Sequence, residues 1–178
     1  MSSPAARSFL YFAYGSNLWS ERIRLNNRSA IMKSVGLLRG YRLEFAFMSK
    51  RWKGAAANIY PDPQSHVYGV LWELNLEDQE SLDEQEGVSS GIYERISVTA
   101  EVEGKLVSCQ AYKVTESRRE NAIATHGGAL LPSAVYKNVI IRGAKENKLP
   151  NEYIQFLENI ADNGYDGEVE VNLPLAAQ

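Results

Sequence analysis

A single cysteine, Cys109, and two histidines, His66 and His126, are all that the 178 residues offer in soft or imidazole ligands. One thiol excludes an intrachain disulfide framework and a multi-cysteine metal site, and two imidazoles do not make a histidine-rich cage. No run reaches the roughly 20 apolar residues that cross a bilayer. The first seven residues, MSSPAAR, lack the apolar centre of a secretory signal. Neither sign of charge dominates: 19 Lys and Arg stand against 22 Asp and Glu, a net −3. That balance argues against an electrostatic nucleic-acid binder. Internal repeats and low-complexity linkers are also missing. The expectation is a soluble, cytoplasmic protein without nucleic-acid or membrane partners.

What remains is ordinary globular material, 44% hydrophobic and 23% charged. This is enough for a sizeable core, and the length suits one domain over residues 1–178, with 1–7 and 172–178 as loose termini. Ten tyrosines and three tryptophans supply apolar bodies with polar tips, suited to packing or to lining a pocket.

The first segment, residues 9–14, is a short apolar and aromatic run that stops at Gly15-Ser16-Asn17. It predicts a buried strand entering a tight turn. Residues 18–25 then space Leu18, Arg22 and Leu25 by helical turns, with Asn26-Asn27 as the exit. Strands dominate next. Residues 41–47 alternate, placing Tyr41, Leu43, Phe45 and Phe47 on one face. Residues 55–60 follow, closed by Pro61-Asp62-Pro63, and then residues 67–74. Residues 92–102 and 106–114 read as a hairpin through Glu103-Gly104-Lys105. Two helices come last. Residues 133–144 start on a Ser133 cap and align Val135, Tyr136, Val139, Ile140 and Gly143. Residues 150–162 align Tyr153, Phe156, Leu157 and Ile160, ending at Asn163-Gly164. An edge strand at 169–171 is expected in the tail. Strands and helices do not alternate regularly. The fold class is therefore α+β, with a curved, mostly antiparallel sheet or small barrel.

Two places carry candidate chemistry. Residues 76–87, LEDQESLDEQEG, hold six carboxylates and no Lys or Arg. Asn75 and Gly87 bracket a helix whose inward face is marked by Leu76 and Leu82, with Gln79 and Glu86 between them. Glu77, Glu80 and Glu84 point outward. Glu86 alone sits in the last turn, where the helix dipole favours cations, with Asp83 one turn before it. Burial, the dipole and the like charge all raise its pKa, which suits a general base. The plain alternative is that the whole helix is a solvated acidic face. The second place is Tyr14-Gly15-Ser16-Asn17, a glycine turn opening a helix. Its free amides suit a small carboxylate, or it is only a turn with a polar cap. Its spacing is neither a phosphate loop nor a dinucleotide fingerprint. Ser16 as a nucleophile has no elbow motif and no convincing histidine. His126 precedes Gly127-Gly128, which reads as a loop and candidate lid.

Taken in order, Tyr11-Phe-Ala-Tyr-Gly-Ser-Asn17, Ser81-Leu-Asp-Glu-Gln-Glu-Gly-Val88 leading to Gly91-Ile-Tyr93, Tyr136-Lys137, and Gly143-Ala-Lys-Glu-Asn147 with Leu149-Pro150 resemble the gamma-glutamylcyclotransferase family. The resemblance runs from about residue 9 past Tyr153. It implies a mixed sheet folded as a small barrel with flanking helices, and a reaction without cofactor or metal. The implied activity cyclises a γ-glutamyl amino acid to 5-oxoproline and a free amino acid, with Glu86 moving the proton. It also implies a substrate loop of Tyr11, Phe12, Ala13, Tyr14, Gly15, Ser16 and Asn17, and a substrate contact at Tyr136. Tyr93, just past the Glu-Gly pair, is expected as a pocket wall. Homodimers are frequent in the family, and the apolar faces of the late helices are the expected surface. Related activities on γ-glutamylamines or glutathione, or a ligand-binding protein that kept the fold, are the alternatives. Residues 48–53 and 116–130 match no pattern and are expected as loops bordering the leaving amino acid.

Overall fold

The computed structural model describes residues 7–127 and 130–175. The apolar first run forms strand β1 (Ser8–Ala13). A 3-10 turn over Ser16–Leu18 and the short helix α1 (Ser20–Ile23) follow in place of one helix over 18–25, because Trp19 between them is extended. Strands β2 (Ile31–Ser49) and β3 (Gly54–Asn75) make a long hairpin. A 3-10 turn at Leu76–Asp78 leads into helix α2 (Gln79–Gln85). Strands β4 (Tyr93–Val102) and β5 (Lys105–Val114) form the second hairpin. Its two-residue turn puts Glu103 at φ 50° and Gly104 at φ 78°, the mirror-image turn whose twist matches paired strands. Helices α3 (Glu116–His126), α4 (Ala134–Glu146) and α5 (Asn151–Glu158) complete the order.

The strands close into a barrel in the order β1-β3-β2-β4-β5. Every pairing is antiparallel except the closing one, where β1 meets β5 in parallel. The mostly antiparallel mixed barrel with flanking helices is the expected fold class. Its strands are longer than expected. Pro61-Asp62-Pro63 interrupts β3 without ending it: the register passes from Tyr41–Pro61 to Arg39–His66 across a bulge. Asp62 ties that bulge by accepting from the Gln64 amide and the Ser65 hydroxyl. Prolines are tolerated at such irregularities because no ladder hydrogen bond is needed there. A second shift between Phe45 and Phe47 breaks the expected four-residue face, and it is Ala46 that is buried.

Other expectations are corrected in the helices and tail. Residues 116–126 are helical, with Arg119 bonded to Glu44 on β2 and stacked on Tyr60, 3.6 Å from the ring centroid. The candidate lid falls at the end of α3, and Gly128 lies outside the described residues. Leu76 is exposed and Leu82 alone anchors α2. On α4 the whole expected face is buried, from Val135 to Gly143, and Ser133 caps it by accepting from the Tyr136 amide. Phe156 on α5 is exposed instead of packed. The late helices therefore spend most of their apolar surface on the core. Residues 169–171 form no strand; the Glu170 amide donates to the Arg51 carbonyl in the turn between β2 and β3. Nor is the tail wholly loose, since Leu173 and Leu175 rest on the core.

Phe12 fills the barrel interior. Its ring comes within 2.6 Å of where a Cβ at Gly69 would stand and only touches, at 3.4 Å, where one at Gly36 would, beside Ala100 and Leu71. Small residues on three strands thus make room for one large ring, the complementarity that close-packed interiors require. The end of α4 then clamps the chain just after β1. A Cβ on Gly143 would lie 2.4 Å from the backbone of Leu18 and of Trp19. Asn147 Nδ2 donates to the Leu18 carbonyl at 2.7 Å, and Glu146 accepts from the amide and hydroxyl of Ser20. Gly143→Ala is expected to cost about 3 kcal/mol of stability through this overlap. A chemical-denaturation midpoint unchanged from wild type would show that the helix and the turn do not touch.

Candidate active site

The clamp just described holds the turn at Gly15–Asn17 against the end of α2. Helix α2 stops at Glu86, whose αR backbone caps it, and Gly87 follows at φ 66°. Asp83, one turn earlier, is fixed from two strands: the Tyr112 hydroxyl donates to it, and Arg95 pairs with it at 3.2 Å. With Leu82 fully buried, these contacts set the rotation of the helix and turn Glu86 inward.

Asn17 joins the two elements. Its Nδ2 donates to the Tyr11 hydroxyl at 3.1 Å and to Glu86 Oε1 at 3.5 Å. Its Oδ1 accepts from Gln85 Nε2 at 3.2 Å, and its carbonyl accepts from the Trp72 indole at 2.9 Å. Gln85 is held in turn by Asn27 at 3.2 Å. The side-chain amide of Asn17 and its carbonyl thus have fixed partners, as a buried amide demands.

A cleft of about 40 Å³ opens between the turn and Glu86. Of the expected residues it is lined by Tyr11, Tyr14, Gly15, Ser16, Asn17, Glu86, Tyr93 and Tyr136. Phe12 and Ala13 are the exceptions. Both are fully buried, and the Phe12 ring is the barrel's interior filler, because successive strand residues face opposite ways. Ala57 and Tyr112 also line the cleft and were not foreseen. Ala57 acts through its backbone: its amide donates to the Tyr136 hydroxyl at 2.9 Å and its carbonyl accepts from the Tyr93 hydroxyl at 2.7 Å. No side-chain pattern could reveal that role. Tyr14 donates to the Tyr112 carbonyl at 2.6 Å. Neither histidine lines the cleft; both are exposed.

Electrostatics single out one group. Burial raises the pKa of Tyr11, Tyr14, Tyr93, Tyr112 and Tyr136 well above the ordinary phenol range. Their hydroxyls stay neutral at any physiological pH. Glu86 is pushed up to about 7, first by burial, against the opposing pull of Arg22 and Arg51, with a smaller upward push from Asp83. The residue keeps some solvent contact, yet loss of hydration at its carboxyl outweighs the arginines. A ring of neutral hydroxyls therefore surrounds one acid that changes protonation near neutrality, the arrangement of a general acid–base. The two arginines were not foreseen. The only sequence signal was Arg22 sharing a helical face with Leu18; the third member, Leu25, is exposed. A larger hollow, about 700 Å³, lies between α4 and the tail. It holds Arg142 and the exposed acids Asp166 and Glu168, and no buried titratable group converges on it.

Comparison with known proteins identifies the family. Residues 66–157 match the AIG2-like family. The bovine gamma-glutamylcyclotransferase is 43% identical over 174 residues, covering 95% of this chain and 87% of that protein. The mouse protein of the same name is 43% identical over 167 residues, covering 91% and 84%. A solved structure of a gamma-glutamyl cyclotransferase superposes with a TM-score of 0.82 at 42% identity, covering 92% of this chain and 94% of that one. A yeast gamma-glutamyl cyclotransferase specific to glutathione has a TM-score of 0.59 at 15% identity, a likeness of fold alone. With sequence and overall fold in agreement, the chain belongs to the gamma-glutamylcyclotransferase family and is an enzyme of that kind.

Proposed function

We propose that the substrate is a γ-glutamyl amino acid and that Glu86 carries the proton through its cyclisation to 5-oxoproline. The observation that supports this most is Glu86 itself, a buried carboxyl with a pKa of about 7 facing the glycine turn across the cleft. An α-ammonium must lose a proton before it can attack, and a base poised near neutrality takes it efficiently. The freed amine attacks its own γ-carbonyl carbon and closes the C–N bond of a five-membered lactam. The oxyanion that develops, or the α-carboxylate, is received by amides at Gly15 and Ser16, which open a helical turn and have no partner within it. Glu86 then returns its proton to the leaving nitrogen as the γ-amide bond breaks, and the ring nitrogen passes its second proton, by way of the re-formed Glu86 carboxylate, to the released amine, which leaves as the ammonium of the free amino acid. Electrons and protons balance within the substrate and one carboxyl.

Attack within one molecule makes positioning the larger part of the work. The neutral hydroxyls of Tyr11, Tyr14, Tyr93 and Tyr136 supply fixed donors and acceptors without competing for the proton. A space of about 40 Å³ accommodates about one water, whose share of liquid volume is roughly 30 Å³, so the walls part to admit substrate. The same reading places the enzyme in cytoplasmic γ-glutamyl and glutathione turnover. A homodimer would use surface other than the inner face of α4, which the core occupies.

Glu86→Gln keeps the shape and removes the base. It is expected to lower kcat by at least about a hundredfold while leaving the circular-dichroism spectrum unchanged; near-wild-type release of 5-oxoproline would refute the mechanism. A panel of γ-glutamyl-alanine, γ-glutamyl-ε-lysine and glutathione should show the first as the best substrate, and chelators should leave the rate intact. For the wild type, kcat/KM is expected to fall as pH drops below about 7 and Glu86 becomes protonated. Stability runs the other way. A carboxyl whose folded pKa is raised stabilises most below its unfolded value and loses that contribution as pH rises through about 7. Urea titrations should find Glu86→Gln close to wild type at acid pH and more stable by on the order of 3 kcal/mol at alkaline pH.

A further inference from the structure

Arg22 is a buried charge without an explanation in the fold. It lies on α1, only five residues beyond Asn17, and is 4% exposed. Its Nε has no hydrogen-bond partner, and among the described residues its guanidinium forms no ion pair. Its one contact of note is with the Trp52 ring, 5.9 Å from the centroid. Trp52 in turn packs against Tyr136, a wall of the cleft, with ring centroids 5.0 Å apart. Arg22 does not itself line the cleft; it lies behind the Trp52–Tyr136 pair, and its charge is felt by Glu86, Tyr11 and Tyr136, which do line it.

An arginine cannot shed its charge to escape burial, and an unpaired buried cation is costly. Arg51 adds a second positive charge from the turn between β2 and β3, where it is exposed. Glu86 is the acid these charges act on, and near neutrality it is partly protonated. The surroundings of Glu86 thus carry excess positive charge, and an unused donor lies behind the Trp52–Tyr136 wall. A γ-glutamyl amino acid brings one ammonium and two carboxylates. The ammonium suits Glu86, and the carboxylates need donors.

We infer that Arg22 is a carboxylate-binding residue, whose guanidinium is completed by a carboxylate of the γ-glutamyl substrate once the cleft opens. Trp52 is the partition that moves, and Arg51 adds charge at the rim. Planar, multiply donating guanidinium groups suit a carboxylate better than any other side chain does. The carboxylate belongs to either end of the substrate, the γ-glutamyl α-carbon or the leaving amino acid, and the chemistry of recognition is the same.

This inference rests on the proposed substrate class, and the test separates the two. Wild type, Arg22→Gln and Arg22→Lys are assayed with γ-glutamyl-alanine, with its leaving-side carboxamide and with its α-carboxamide. Arg22→Gln is expected to lower kcat/KM for the parent by about ten- to hundredfold, chiefly through KM, the effect of losing a hydrogen bond to a charged group. The loss should nearly vanish on the one carboxamide that lacks the carboxylate Arg22 holds, which identifies the end. Arg22→Lys should restore part of the loss. An equal loss on all three compounds would assign Arg22 to Glu86 or to the scaffold and overturn the inference.

Thermal melts at pH 6, where Glu86 keeps its proton, supply a readout that a structural role would move oppositely. Removal of an unpaired buried charge should leave Tm unchanged or raise it, and a lowered Tm for Arg22→Gln would overturn the inference. If wild type releases no 5-oxoproline from any of the three, the substrate reading fails by itself. Glutarate titration then decides: weaker binding in Arg22→Gln upholds a carboxylate site, and equal binding refutes it.

Discussion

Loss of water around the Glu86 carboxyl is the constraint on which the site depends. Burial raises its proton affinity more than Arg22 and Arg51 lower it, and that balance leaves an acid able to both take and give a proton near neutrality. The neighbouring tyrosine hydroxyls, neutral at physiological pH already, are driven further from ionisation by the same burial. One enclosure therefore keeps the tyrosines neutral and tunes the glutamate. A solvated glutamate at the same helix end would be a permanent anion, and the cleft would have no titrating group.

Holding that carboxyl in place takes three parts of the chain that are far apart in sequence. Helix α4 presses the turn after β1 through Gly143, Glu146 and Asn147. Asn17 carries the turn to Glu86 and Gln85. Asp83 ties α2 to Tyr112 and Arg95 on the second hairpin. The barrel supplies the rigid floor, with Phe12 inside and the Ala57 backbone joining Tyr93 to Tyr136. These are the three stretches in which the recognisable motifs lie, and their contacts explain why a glycine and an asparagine on α4 belong with a turn about 130 residues away. Stability is given up where the site needs it, in a raised glutamate and an unpaired arginine, as is common where function requires strain or burial.

Several errors of the sequence reading share one cause. Hydrophobic alternation locates strand segments but does not show where a bulge lets a strand continue, so β3 was split at Pro61-Asp62-Pro63 and β2 was recognised only in its second half. The helix at Glu116–His126 is almost wholly polar, with Ala122 its one buried residue, and it presents no apolar stripe. Its attachment is Arg119 on Glu44 and Tyr60, a long-range ion pair invisible to local pattern. Phe12 was grouped with the substrate loop because it lies within the motif, although strand alternation turns it to the barrel interior.

The sequence by itself determined the fold class, the family, the second hairpin, both late helices and the odd position of Glu86 at an acidic helix's end. Those are properties of local periodicity, capping and ordered motifs, which short stretches of chain carry whole. Tertiary structure decided that burial outweighs both the arginines and the smaller push of Asp83 in setting the Glu86 pKa, and that Ala57 and Tyr112 line the cleft and two arginines act on it. Such effects come from water excluded by distant segments and from charges brought together by barrel closure, and no neighbour in sequence records them.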